Sequence, residues 1–427
     1  MGAPTDLEQP AERTGGWRVF APFQFREYRL LIAAVSISIF AEGMWTVVMA
    51  LQVMALADDP SALSLVASCL AVAMLVFILV GGIVADRVSQ RAIIIAVQSV
   101  NVAAVAAVST LGAFGALHLW HMAVAAAMLG AATAFFFPAY SAYLPRILPP
   151  DQLLAANGVE GAIRPTLQQA LGPAAAGMLV GATFPWLGAT TVAGLFAFGL
   201  VMLAAMKPGP AATAGDTADR PHPLADLRDG LRFVVGTSWL LWTLLFASMW
   251  VLAALGPIDV LLPFITRDRF PYGEQMYGFV LAAFGIGSAL GALAVSSRPL
   301  PRRYMTVMMV MWGAGSLPLA IVGATHSFPV MAAALFVVGF ADGVGVVIWG
   351  TLLQRRVPTA MLGRVSSLDF FVSLAFMPLS IALAGPLSEF VPVEFIFAVA
   401  GIVPAMLAGV ALVAARMRHD EIAHPLN

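Results

Sequence analysis

Apolar runs of about twenty residues recur along the chain, separated by short polar gaps that hold most of the charge. A helix needs roughly 20 mostly apolar residues to cross the hydrocarbon of a bilayer. Lipid offers no partner for unpaired backbone groups, so each run reads as a membrane-spanning helix. Twelve spans are predicted, centred near Phe40, Met74, Ala104, Gly130, Ala170, Phe196, Trp250, Phe284, Gly313, Val338, Phe376 and Val403. Prolines blur the fourth and fifth. The expected fold class is all-α and integral to a membrane.

Composition agrees with the pattern. The chain is 60% hydrophobic and 11% charged, with a mean hydropathy of +0.90, whereas soluble domains carry about 25% charged residues. One cysteine, Cys69, excludes an internal disulfide and any multi-cysteine metal site. Residues 1–28 are polar and of mixed charge, unlike a secretory signal, and read as a cytoplasmic tail.

The arginines orient the spans. If both termini are cytoplasmic, Arg87, Arg91, Arg146, Arg228, Arg298, Arg355 and Arg416 fall inside and only Arg267 and Arg269 fall outside, as the positive-inside rule requires. Residues 207–238 then separate two halves, 29–206 and 239–415, with a second cytoplasmic tail at 416–427. The first part of that separator is rich in Pro, Gly, Ala and Thr and reads as a flexible linker. In its second part Leu224, Leu227, Leu231 and Val234 follow helical spacing. They fit either an amphipathic helix on the membrane surface or a solvent-capped lead-in to the seventh span. A faint repeat relates the halves: YLPRILPPDQLLAANG follows the fourth span and LLQRRVPTAMLGRVSS the tenth, and each next span contains Gly-Pro.

Between the second and third spans the chain reads GIVADRVSQR from Gly82. This resembles the signature loop of the major facilitator superfamily, G-x-x-x-D-R-x-G-R-R. Gly82, Asp86, Arg87 and Arg91 match; Ser89 and Gln90 depart from the pattern. The resemblance implies two pseudo-symmetric six-helix bundles that rock around a midplane site. It also implies a latch, in which Asp86 faces the positive start of the eleventh span and Arg364 there. LPRILPPDQLLAANG, LGPAAAGML, DGLRFVVG and VPTAMLGRVSS are similar to segments of the proton-coupled drug and siderophore exporters near the enterobactin exporter. Gly172, Pro173 and Gly177 resemble the Gly-Pro pattern of antiporters, although such pairs also occur where membrane helices simply kink or pack.

An ionisable residue inside a span is costly and by default suggests function. Glu42, Arg164, Asp259, Asp342 and Asp369 qualify. In the resembled fold the first, fourth, seventh and tenth spans line the cavity, and three of the four acids fall on those. Glu42, mid-span in FAEGMW, is the leading proton carrier, because a carboxyl that takes a proton outside and releases it inside is the minimum for antiport. The alternative is a permanently protonated Glu42 bonded to a neighbouring helix. Asp342, in GFADGVG, is expected to share that role or to bind a cationic solute, with tight helix packing at the flanking glycines as the alternative. Asp259 is the third candidate, or else reaches water or pairs with Arg267. Ser366 and Asp369 have capping-box spacing at a helix start. Arg164 either snorkels to the inner surface, draws in an anion or faces Glu42. Trp45, Phe136, Tyr140 and Trp250 are candidates for the cavity wall, with lipid-facing positions as the alternative.

His118 and His121 lack the further ligands a metal site needs, so interfacial anchoring is expected. No G-x-x-x-x-G-K-S/T run is present, which argues against ATP coupling. No nucleophile–base constellation suggests an enzyme. The partners expected are a small-molecule solute and the bilayer, with no nucleic acid, no metal and no cofactor beyond the proton gradient, for a monomer in a bacterial inner membrane. The function expected is proton-coupled efflux of amphipathic drugs or siderophore-like metabolites. An importer or symporter of a small metabolite is the alternative, with a non-transporting sensor or enzyme behind it.

Overall fold

The computed structural model describes residues 22–149, 152–207 and 223–426. The side chains of some residues within helices, among them Gly82, Asp86, Arg87, Leu224, Leu227 and Arg364, lie outside the described residues. The expected Asp86–Arg364 latch therefore lies outside them too, as do most of the first tail and the linker part of 207–238.

The chain crosses back and forth as α1 (Arg26–Leu56), α2 (Pro60–Arg87), α3 (Gln90–Ala113), α4 (Leu119–Ile147), α5 (153–182) and α6 (Pro185–Ala204). Then follow α7 (Ser238–Arg269), α8 (Gly273–Ser296), α9 (Tyr304–Ala324), α10 (Phe328–Arg356), α11 (359–390) and α12 (Val393–Ala414). Eleven of these contain helices long and apolar enough to cross a membrane. The exception, α5, is broken into an α-helix (Leu153–Ile163), a π-helical stretch (Arg164–Leu171) and a second α-helix (Gly172–Ala182). The cause is local. Pro165 and Pro173 donate no N–H and crowd the preceding turn, and a π turn is one way such a helix re-pairs its backbone. In α7 the same chemistry recurs around Pro257, with π-helical stretches at Val251–Leu255 and Pro257–Leu261.

α1–α6 and α7–α12 form the two bundles. They meet where α2 packs on α11 and α5 on α8. All the polar inter-bundle contacts named next lie near the face opposite the chain ends, the far face. Arg267 pairs with Asp58, Ser61 donates to Glu389 at 2.7 Å and the Gly385 N–H donates to Ser64 at 2.8 Å. Gly177 and Gly278 let the α5 and α8 backbones touch, since a Cβ on either would strike the other helix.

Burial tells the same story. One apolar core runs through the far halves of both bundles, from Ala41 and Val66 to Val260, Leu335 and Phe397. Toward the chain ends it splits in two. One core gathers around Tyr28, Ile94 and Tyr143 in the first bundle, the other around Leu240, Tyr304 and Ile348 in the second. Among the described residues, the two bundles thus share one core at the far face and keep separate cores toward the face that carries the chain ends.

The segment 416–427, expected as a cytoplasmic tail, includes a short helix (Met417–Ala423) docked on the second bundle. Glu421 accepts from the Thr306 N–H at 3.0 Å and its hydroxyl at 2.6 Å, and Asp420 pairs with Arg356. The helix Pro223–Gly236 packs on α7 and α11 while Leu231 and Val235 stay exposed.

Candidate functional site

A cavity of about 410 Å³ lies between the bundles at mid-depth. Glu42, Trp45, Arg164, Gln168, Asp259 and Tyr277 line it, with Met49, Phe137, Met377 and Ile381 supplying apolar wall. Its geometry follows from the break in α5. At Gly43 the absence of a Cβ lets the Gln168 backbone come against α1, and Gly172 meets Gly43 one turn on. This crossing brings the Gln168 amide to Glu42, where Nε2 donates to the carboxyl oxygen Oε2 at 3.0 Å. Arg164 lies one turn before Gln168, on the same side of the helix. Its guanidinium reaches Glu160 at 3.4 Å, stacks 4.7 Å over the Phe137 ring and acts electrostatically on Glu42. Arg164 and Glu42 line the same cavity, while the ion pair the guanidinium makes is with Glu160.

Asp259 lies on a π-helical stretch of α7 and lines the same cavity. The expected alternative, a pair with Arg267, does not form: Arg267 is held by Asp58 and Asp268, two turns further along at the far face. The Trp45 indole N–H and the Asn101 side-chain oxygen are buried with no partner among the described residues, and both residues line the cavity.

A second cavity, of about 250 Å³, lies inside the second bundle between α7, α9, α10 and α11. It holds Asp342 and Asp369 among Phe246, Trp250, Trp312 and Trp349. Trp312 hydrogen-bonds the Asp342 carboxyl. Asp369 accepts from the Trp349 indole at 3.1 Å and from the Ser373 hydroxyl at 3.2 Å.

Several expectations change here. Trp250, a cavity-wall candidate, lines this second cavity and donates to Ser316 at 2.8 Å. Asp369 does not cap a helix start: α11 begins at Thr359, so Ser366 and Asp369 sit well inside it. Phe136 borders a small pocket behind Glu42, but Tyr140 is buried in the core of the first bundle. It stacks on Phe136 at 5.6 Å and bonds Glu160. Arg91, assigned to the latch, donates to the carbonyls of Ala204 at 3.0 Å and Met206 at 2.9 Å. It therefore ties the end of α6 within its own bundle, where the negative end of a helix attracts a cation. Gly172 and Gly177 serve as helix crossings, to α1 and α8, with Pro173 buried between them. His118 and His121 bond each other at the start of α4, where the His118 N–H donates to Nδ1 of His121 at 3.0 Å.

Sequence reasoning missed Gln168 and Trp312. Gln168 carried a usable signal, an amide inside a span four residues after a buried arginine. Trp312 carried none, since only the packing of α9 on α10 sets it beside Asp342.

Comparison with known proteins adds an independent line. The family model described as Major Facilitator Superfamily matches residues 31–375. The multidrug efflux pump Tap of Mycolicibacterium fortuitum is 28% identical over 373 residues, covering 84% of this chain and 88% of that one. The enterobactin exporter EntS of Escherichia coli is 24% identical over 348 residues, 80% of each chain. An uncharacterized MFS-type transporter of Sinorhizobium fredii is 29% identical over 62% of this chain, and the match spans 64% of that relative's length. Among solved structures, the nucleoside transporter NupG superposes with a TM-score of 0.66 at 14% identity, covering 93% of this chain and 100% of that one. A POT family transporter in complex with 5-aminolevulinic acid gives 0.68 at 13% identity, over 91% and 96%. At such identities the structural likeness speaks for the fold alone.

Proposed function

We propose a proton-coupled exporter of amphipathic solutes, taking as premise that the chain belongs to the Major Facilitator Superfamily and is a multi-pass membrane transporter. The observation that carries the reading is the carboxyl of Glu42, which accepts a hydrogen bond from the Gln168 amide in the inter-bundle cavity that Arg164 also lines.

An antiporter needs a group that accepts a proton from one side and gives it up on the other, without a large structural cost in either state. Gln168 suits both states. Its NH₂ donates to the carboxylate, and its carbonyl oxygen can accept from the carboxylic acid after a flip of the amide. Arg164 offers a positive neighbour to the ionised form. With the far face open, Glu42 takes its proton from outside. Once the bundles part toward the chain ends, the proton leaves to the cytoplasm and a solute enters from there. The apolar wall suits an amphipathic solute, and the unpartnered Trp45 N–H and Asn101 oxygen provide a donor and an acceptor to orient it. This assignment sets both termini in the cytoplasm of a bacterium, with the arginine distribution in support. Tap and EntS, by their names, carry drugs and enterobactin outward; export is the direction they favour here.

The test is transport of a fluorescent lipophilic cation by purified protein in liposomes under an imposed pH gradient, native against Glu42→Gln. Dye movement against the proton flow, lost in Glu42→Gln, is the expected result. Movement that persists undiminished in the variant contradicts the role of Glu42. Movement in neither protein contradicts multidrug export, and a catecholate siderophore then becomes the solute to try.

A further inference from the structure

The second cavity has no place in the proton relay just described, yet its chemistry is specific. Two carboxyl groups, Asp342 and Asp369, face a space walled by Phe246, Trp250, Trp312 and Trp349. The hydrogen-bond partners shown for them are neutral: an indole N–H for Asp342, an indole N–H and a hydroxyl for Asp369. Among the described residues lining the cavity there is no arginine, lysine or histidine. A buried charge is costly unless it is paired, and each carboxylate keeps acceptor sites beyond those the indoles use.

The rings are placed to help. Trp312 and Trp349 have centroids 6.4 Å apart at 58°, and Phe246 stacks on Trp312 at 6.4 Å. Indole faces attract a cation within about 6 Å of the ring centroid, and several rings around one space form the cage that recognises quaternary ammonium groups. We propose that this cavity binds the organic-cation head of a transported solute, a substituted ammonium held by Asp342 and Asp369 within the Phe246–Trp250–Trp312–Trp349 cage.

Size limits what enters. At about 250 Å³ the cavity is smaller than the roughly 300–1,000 Å³ usual for whole drug-sized ligands, so it takes the head and not the body. The body has an exit. Phe370 forms one wall of the cage and contacts Phe137 across the bundle boundary, with ring centroids 6.4 Å apart, and Phe137 lines the inter-bundle cavity. An apolar tail passing this ring pair reaches the cavity of Glu42 while the head stays with the acids. Proton and solute charge are thus handled by different bundles. The inference rests on the transport reading above and names its solute class.

The experiment reads binding on purified full-length protein in detergent, with no gradient, so that it stands apart from transport. Choline is titrated by calorimetry and by tryptophan fluorescence, beside 3,3-dimethylbutan-1-ol, its uncharged isostere. Choline is expected to bind at least about tenfold more tightly than the alcohol, and Asp342→Asn/Asp369→Asn to lose at least about tenfold of that affinity. Glu274→Gln, which removes an exposed carboxyl at the start of α8, is expected to keep it. Equal binding of choline and the alcohol overturns the proposal. So does choline binding that survives the double variant, or that depends instead on Glu42. Should the double variant fail to fold, the comparison of the two probes on native protein and the two single variants decide alone. Choline binding without any flux would leave this site standing and remove the exporter reading; flux through Glu42 without choline binding would do the reverse.

Discussion

The two cavities differ in what their acids are given for company. Glu42 lies by an amide that can serve a carboxyl in either protonation state and near a guanidinium already engaged with Glu160. Asp342 and Asp369 lie under indole N–H groups, in an aromatic cage with no cation on its described wall. The first arrangement offers the carboxyl a donor when it is ionised and, after a flip of the amide, an acceptor when it is protonated. The second holds negative charge in reserve for something that arrives from outside. On the proposed reading, the same residue class, an acid buried in a membrane span, takes two roles according to its neighbours.

The contrast can be broken in several places, and the largest effect is expected at Glu42 itself. Glu42→Gln keeps the shape and the amide contact but fixes the neutral state, and transport driven by a pH gradient should fall to background in proteoliposomes. Next comes Gln168→Leu. It leaves Glu42 without its donor, and hydrogen bonds to charged groups contribute about 1.5–3 kcal/mol, so initial coupled rates should drop roughly ten- to a hundredfold while choline affinity at the other cavity holds.

Ser380→Ala probes the scaffold under Asp259. The Ser380 hydroxyl accepts from the Gly256 N–H and donates to the Leu252 carbonyl, both at 2.8 Å, in the π-helical part of α7. Removing it strands a buried backbone N–H, at a cost of about 1–3 kcal/mol, which thermal unfolding in detergent should register as a lower midpoint. The smallest effect is expected at the far face. Asp58 and Arg267 are substantially exposed, at 69% and 32%, and exposed ion pairs contribute about 0.2–1 kcal/mol. Asp58→Asn should raise labelling of a Ser64→Cys reporter, in a Cys69→Ser background, by at most about fivefold. The effect should shrink at high salt.

Much of this architecture was legible in the sequence because its cause is one-dimensional. Span length and arginine alternation give the crossings, and a glutamate in mid-span announces itself. Rotation about a helix axis is less legible: Trp250 was expected on a cavity wall, and only the packing of α7 against α9 and α11 settles that it lines the second bundle's cavity. Boundaries behave likewise. Asp369 looked like a cap only because α11 was taken to begin near it, and ten residues of extra helix turn the same side chain into a cavity wall. Arg91 matched the signature loop and yet binds the end of α6, since a guanidinium answers to the nearest free carbonyls and those are set by packing. Gln168 shows the remaining gap. Its partner lies 126 residues away, and only the Gly43 crossing brings the two together.

The central claim is that Glu42 couples the proton to the solute and does not merely help to fold the cavity. The most direct test separates exchange from accumulation in one proteoliposome preparation. Glu42→Gln should still exchange labelled for unlabelled solute at equal pH on both sides, at a rate within a few-fold of the native protein, and should fail to accumulate it when a pH gradient is imposed. Accumulation by Glu42→Gln that matches the native protein, or loss of exchange together with accumulation, contradicts the account.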